Sequence, residues 1–105
     1  MTSSADFVTF VLDQARGPWV LRQRKMFGDY MVYVNDKPIL LICDDQVFVK
    51  MLPELADLMV DAPVAPPYAG AKNHYILDID SADLTRKVLT LLEPITALPK
   101  PRKRK

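Results

Sequence analysis

Cys43 and His74 are the two residues whose chemistry could support nucleophilic catalysis. A cysteine attacks a substrate as the thiolate, which needs a neighbouring base or cation, and the single histidine could be that base. Nothing in the sequence brings the two residues together. Cys43 closes the apolar run over residues 39–42, where a free cysteine is commonly a small buried hydrophobic residue. We therefore predict no catalytic role for the pair.

The acidic residues and glycines do not form a recognised catalytic or ligand pattern. Asp44 and Asp45 lie in a predicted turn, and Asp78 and Asp80 lie at a predicted strand end, so we interpret them as turn and strand-end residues. One cysteine and one histidine fall short of a four-ligand zinc site. Gly28 belongs to no glycine-rich phosphate loop. We predict no metal site, no cofactor and no enzymatic activity.

One cluster of basic residues lies inside the folded part of the chain. Arg22, Arg24 and Lys25 fall in a predicted strand, where Arg22 and Arg24 share a face. Such a pair could contact a phosphate backbone or an acidic partner. The alternative is a solvated surface paired with nearby carboxylates such as Asp29 or Asp44.

A second basic cluster forms the end of the chain. Its charges are Lys100, Arg102, Lys103, Arg104 and Lys105. The prolines and charges predict a disordered tail over residues 99–105 after a domain over residues 1–98. Without these five of the 14 basic residues, nine remain against 13 acidic ones, so the body carries about −4. The tail could attract nucleic acid weakly and without sequence preference, or simply keep the chain soluble.

Length and composition indicate one globular domain. A chain of 105 residues, half of them hydrophobic and 26% charged, supports a single packed core. No apolar run of membrane-spanning length occurs, and residues 1–6 lack the basic and apolar segments of a secretory signal. We expect a stand-alone cytoplasmic domain with no membrane association.

Helices are predicted near both ends of the domain. Apolar residues spaced by one, three and four positions predict a helix over residues 4–16, which Gly17 and Pro18 end. Ser81 is predicted to cap a final helix with one buried face. Pro94 is expected to end that helix.

The middle of the chain predicts an antiparallel sheet. Strands are expected over residues 19–24, 30–34, 38–43, 46–51 and 74–79. Polar turns at 35–36 and 44–45 favour consecutive hairpins. A short helix starting at Pro53 and an irregular loop over 62–71 follow. The prediction is an α+β domain, with three or four strands before the short helix and terminal helices on one face of the sheet.

A short motif in this region resembles that of a known family. The stretch from Arg24 to Tyr30 is similar to the Arg-x-Met-Phe-Gly-Gly-Tyr segment of the N-terminal domain of the TfoX/Sxy family. The matching residues are Arg24, Met26, Phe27, Gly28 and Tyr30. Asp29 replaces the second glycine. The order of predicted elements extends the resemblance over about residues 4–98.

Some motif residues have a simpler structural explanation. Met26 and Phe27 before a glycine could form a binding motif or could plug the core. Tyr30 and Tyr33 are an odd number of residues apart on one strand, so at most one of them can join the core.

The resemblance implies a fold and a type of function. The implied fold is a two-layer antiparallel sheet packed by N- and C-terminal helices, of order α-β-β-β-α-β-β-α and similar to type III secretion chaperones. Longer members of the family carry a C-terminal helical domain and act in natural competence as transcriptional co-regulators. For this chain the resemblance implies a non-enzymatic regulatory or protein-interaction module with a protein partner or a homodimer. The alternative is weak nucleic-acid binding through the tail and Arg22 and Arg24, and the candidate binding residues are Arg22, Arg24, Lys25 and Tyr30.

Overall fold

The strands of the sheet lie between an N-terminal and a C-terminal helix in the order of the chain. The computed structural model describes residues 5–26 and 29–96. The elements are α1 (Ala5–Gln14), β1 (Leu21–Met26), β2 (Asp29–Val34), β3 (Lys37–Cys43), β4 (Gln46–Lys50), a 3-10 helix (Pro53–Leu55), β5 (Val64–Ala65), β6 (His74–Leu77) and α2 (Ala82–Ile95). The predicted α+β fold is confirmed, with four strands before the short helix. Across these residues, no helix is both long and apolar enough to span a membrane.

The six strands form one antiparallel sheet in the order β1-β2-β3-β4-β6-β5. Two-residue turns join β2 to β3 and β3 to β4. Both residues of each turn have positive φ, 52° and 67° at Asn35 and Asp36, and 52° and 57° at Asp44 and Asp45. This backbone matches the right-handed twist of the flanking strands, and Asn and Asp tolerate it better than other residues with a Cβ. The predicted hairpins are confirmed.

One face of the sheet, here called the core face, carries both helices. Its buried strand residues are Val32, Val34, Ile39, Leu40, Ile42, Val47, Val49 and Leu77. The helices contribute Val8, Val11, Val88, Leu89 and Leu92 to the same apolar cluster. Burying a valine or leucine of this kind stabilises the fold by about 1.5–3 kcal/mol. This cluster therefore fixes both helices on one side of the sheet.

The exit from α1 differs from the sequence prediction. Trp19 was expected to begin the first strand, but β1 begins at Leu21. The Trp19 indole instead donates a 2.7 Å hydrogen bond from Nε1 to the carbonyl oxygen of Ala15 at the end of α1. A Cβ at Gly17 would lie 2.6 Å from the Trp19 ring, so this close approach requires glycine.

The final helix begins as predicted and ends one residue later than predicted. Ser81 Oγ accepts a 3.2 Å hydrogen bond from the backbone N–H of Leu84, which confirms the N-cap. Pro94 was expected to end the helix, yet α2 continues to Ile95. A proline in the last turn removes only one backbone donor, and this position tolerates that loss.

A polar network holds the end of α2 against the β2–β3 turn. Lys37 Nζ donates to the backbone oxygen of Glu93 at 2.7 Å and lies 3.0 Å from its carboxylate oxygen Oε2. Asn35 Nδ2 also donates to that oxygen at 3.3 Å, while Asn35 Oδ1 accepts from the N–H of Val20 at 2.9 Å. The hydrogen bonds from Lys37 and Asn35 lower the pKa of Glu93. The network therefore stabilises the fold above the ordinary pKa of a glutamate and is lost as the pH falls below it.

The segment between β4 and β6 is more ordered than the predicted loop. Within the expected loop over 62–71, Val64–Ala65 forms β5 and pairs antiparallel with β6. Leu55 and Met59 before it are buried in the core. A two-residue strand is too short to produce a periodic signal in the sequence.

Replacing Asp36 by glycine or by alanine should separate backbone tolerance from side-chain loss. Both variants remove the exposed ion pair with Arg22, but only Asp36→Ala keeps a Cβ at φ 67°. We expect Asp36→Ala to lower the free energy of unfolding by about 1 kcal/mol relative to Asp36→Gly. Urea denaturation measures both values. Equal stabilities would show that the turn does not need this conformation.

Candidate functional site

The face of the sheet opposite the helices, here called the open face, has an apolar row across its middle. The row comprises Met31, Leu41, Phe48 and Ile76 from four neighbouring strands. The cross-strand register pairs Met31 with Leu41, Leu41 with Phe48, and Phe48 with Ile76. Phe48 is only 3% exposed, yet it lies outside the core cluster beneath the helices. The row is therefore apolar throughout, with Phe48 buried and Met31, Leu41 and Ile76 half-buried around it.

Arg22 and Arg24 lie at the β1 edge of this face, on the shared strand side that the sequence predicted. The guanidinium carbon of Arg22 lies 4.6 Å from the centroid of the Tyr33 ring, in a cation–π contact. Arg22 Nε also lies 3.3 Å from Asp36 Oδ1. The expected pairing with Asp29 or Asp44 is wrong for Arg22, because its register with Tyr33 places it beside the β2–β3 turn. Exposed pairs of this kind contribute little to stability.

The other two candidate binding residues lie on the opposite side of the sheet. Lys25 and Tyr30 are cross-strand partners, and Tyr30 packs against the core cluster. The four candidates Arg22, Arg24, Lys25 and Tyr30 therefore do not form one site. Tyr33 lies on the open face, so the expectation that at most one of the two tyrosines joins the core is confirmed.

Cys43 and His74 are far apart in the sheet. Cys43 pairs with Gln46 at the start of β4, whereas His74 pairs with Lys50 at its end. Four residues of extended chain separate these positions by about 13 Å along the strand, with two further strand spacings of about 4.8 Å between β3 and β6. The two side chains cannot exchange a proton, so this geometry provides no nucleophile and base.

Cys43 is buried and faces acidic groups. Burial raises the pKa of its thiol to about 12, with a side-chain hydrogen bond to Asp29 and the negative charges of Asp29 and Asp44 contributing further. Nucleophilic cysteines need the opposite environment, in which nearby positive charge stabilises the thiolate. Cys43 is buried as predicted, although on the open face rather than under the helices.

Charged residues are sorted to the two ends of the open face. The strand ends and turn near Cys43 form an acidic end with Asp29, Asp44 and Asp78. The opposite strand ends form a basic end with Arg22, Lys50 and His74, where Asp36 of the β2–β3 turn pairs with Arg22. The His74 ring nitrogen Nδ1 lies 2.9 Å from the backbone oxygen of Lys72, an acceptor, so it acts as the donor there. The apolar row in the middle and the charged groups at both ends are arranged as they are in binding surfaces.

A shallow groove lies near the proline-rich segment. It has a volume of about 340 Å³ and lies between residues 58–63, the end of β6 and the start of α2. Neither Cys43, His74 nor an arginine lines it. In the part of the chain that the structure describes, no three His, Cys, Asp or Glu side chains could share a metal ion.

Several sequence-predicted residues lie outside the described residues. These are Phe27 and Gly28 of the motif and the whole basic tail, Lys100, Arg102, Lys103, Arg104 and Lys105. Met26 is the last residue of β1. Conversely, the apolar row of the open face was missed by sequence reasoning. Its signal is present in the unbroken apolar runs 39–43 and 47–49, because an antiparallel strand with one solvated face alternates instead.

Comparison with known proteins finds one curated relative. The chain is 30% identical over 107 aligned positions to a protein of Spirochaeta aurantia described as "Uncharacterized 12.7 kDa protein in trpE 5'region". The alignment covers all of this chain and 93% of that protein. No protein-family model matches the chain, and no solved structure matches it.

The thiol of Cys43 should stay protonated well above the pH at which an ordinary cysteine ionises. We expect no thiolate absorbance at 240 nm from the native protein at about pH 10, after subtraction of the Cys43→Ala variant, because the pKa is raised from 9.0 to about 12. Asp29→Asn should lower the ionisation midpoint, because it removes a negative charge beside the thiol. The raised pKa also stabilises the fold below about pH 9, and this stabilisation is lost as the pH rises towards 12. Thiolate absorbance with a native midpoint near 9 would contradict this environment.

Proposed function

The chain belongs to one family with the Spirochaeta aurantia protein, and we propose that it is a non-enzymatic module that binds another protein through the open face of its sheet. The observation that carries the proposal is the apolar row of Met31, Leu41, Phe48 and Ile76. Contiguous apolar surface of this kind commonly marks a protein interface.

The composition of the central strands supports a covered open face. Strand β3 is apolar on both sides, in the manner of a strand that is packed on two faces, and β4 adds Phe48 to the open face between the exposed Gln46 and Lys50. Both helices contribute to the core face, so the half-buried Met31, Leu41 and Ile76 of the open face retain apolar area that a partner could cover. A protein partner would bury them and gain the free energy of removing apolar surface from water.

The charged ends of the open face favour a specific partner over indiscriminate hydrophobic association. An apolar centre bordered by charged groups is the usual composition of a protein interface, because the charges select orientation while the centre supplies affinity. Arg22 stacked on Tyr33 adds an aromatic and arginine pair of the type that is enriched at binding hot spots.

The resemblance of residues 24–30 to the TfoX/Sxy N-terminal domain supports a regulatory setting for this binding. On that basis the module acts in the cytoplasm and modulates a partner in a manner like that of competence regulators. It carries out no chemistry of its own, in keeping with the separation of Cys43 from His74 and the raised pKa of the thiol.

Site-specific photo-crosslinking tests the binding surface. A benzophenone amino acid at Leu41, in the middle of the open face, should trap a discrete protein in cells that make the chain. The matched control is the same probe at Leu91, a leucine 37% exposed on α2. Identical products from both positions, or no product from Leu41, would contradict the proposed surface.

Nucleic-acid binding is the second candidate function. It is favoured by the exposed side chains of Arg22 and Arg24, which share one face of the edge strand. Fluorescence anisotropy with mixed DNA and RNA should then show about tenfold weaker binding for the Arg22→Gln/Arg24→Gln variant, and for a chain without residues 99–105, at low salt. Indistinguishable titrations at two salt concentrations would eliminate this candidate.

A further inference from the structure

The open face has the features of a surface that binds itself, and we propose that its partner is a second copy of this chain, docked face to face about a two-fold axis. This inference rests on the proposed function, because it names the occupant of the same surface. It commits to a homodimer in which the two apolar rows pack together and each basic end meets an acidic end.

The distribution of charge along the strands favours a second copy of the chain as the partner. The acidic end has Asp29, Asp44 and Asp78, and the basic end has Arg22, Lys50 and His74, with Asp36 offsetting only Arg22. A two-fold axis that lies between the faces, perpendicular to the strands, reverses the strand direction of one copy relative to the other. Each acidic end then covers a basic end, whereas the axis parallel to the strands would place like charges together.

The positions of the open-face residues along β4 fit this two-fold axis. Gln46, Phe48 and Lys50 alternate onto the open face, with Phe48 at the midpoint. Rotation about an axis through Phe48 places Gln46 over Lys50 of the second copy and Phe48 over its own counterpart. An isologous contact requires this kind of self-complementary surface. Two antiparallel sheets packed in this way form an aligned sandwich.

The edges of the sheet do not offer an equally good route to a dimer. The outer strand β1 carries Arg22, Arg24 and Lys25, and charged edge strands discourage pairing with another strand. At the other edge β5 pairs with β6, and the N–H of Ile76 donates to the Pro63 carbonyl at 2.9 Å. Arg24 is in register with Met31 and lies at the β1 end of the apolar row.

The size of the face sets the expected affinity. Five strands about 4.8 Å apart and about 17 Å long give a footprint of about 400 Å² on each copy. Standard stable interfaces bury about 800 Å² on each partner, so we expect a dimer with a dissociation constant in the micromolar range.

Sedimentation equilibrium of the full chain from about 1 µM to 1 mM measures this association. The wild type should change from monomer to dimer over that range. Leu41→Glu, which puts a charge in the apolar row, should raise the dissociation constant by about tenfold or more. Leu91→Glu adds the same charge to the helical side and should leave the dissociation constant unchanged. Circular dichroism and thermal melting show whether each variant is folded.

Charge variants at two exposed residues test the orientation without disturbing the apolar row. Gln46→Glu places a carboxylate over Lys50 of the second copy and should tighten the dimer at low salt, whereas Gln46→Lys and Lys50→Glu should each weaken it. An equimolar mixture of the last two variants should regain wild-type affinity, because one contact then joins a lysine at position 46 to a glutamate at position 50, and the other is the wild-type contact of Gln46 with Lys50. The two positions are about 13 Å apart within one chain, so the recovery can arise only between chains.

The outcomes separate this inference from the function on which it rests. A wild type that stays monomeric at 1 mM overturns the homodimer, and if Leu41 crosslinks to a different protein the binding function still stands. A dimer that Leu41→Glu leaves intact overturns the assignment of the face. A mixture of charge variants that does not recover affinity overturns the two-fold orientation.

Discussion

One-sided packing of the helices is the constraint on which the rest of the structure depends. The apolar stripes of α1 and α2 must be buried, and both are buried on the core face through residues such as Val11 and Leu89. Among residues 5–26 and 29–96, no helix packs on the opposite face of the sheet. The half-buried Met31, Leu41 and Ile76 on that face, around the buried Phe48, thereby become the surface available for a partner.

Polar contacts around the β2–β3 turn reinforce this arrangement. Lys37 and Asn35 hold Glu93 at the end of α2, and Asn35 also binds the backbone of Val20 before β1. A single tight turn with positive φ thus joins the two ends of the domain to the middle of the sheet. The same turn carries Asp36 to Arg22, so the basic end of the open face is positioned by the network that secures the fold.

The same sheet geometry explains why residues close in sequence do not form a common site. Alternation along β1 places Arg22 and Arg24 on the open face and Lys25 beside Tyr30 on the other. Register separates Cys43 from His74 by the length of β4 and leaves the thiol among carboxylates. These residues therefore belong to a surface whose properties come from its shape, apolar area and charge, and they do not form the site that their residue types suggested.

The sequence by itself determined the local features that short-range physics controls. These include the hairpin turns, the Ser81 cap and the strand sides of Arg22, Arg24 and the tyrosines, because each depends on a few neighbouring residues. Tertiary structure decided the features that depend on distant partners. Trp19 caps α1 instead of starting a strand, β5 forms only because β6 is beside it, and Arg22 pairs with Asp36 across the sheet. The open face is of the second kind, because only the placement of both helices on one side reveals it.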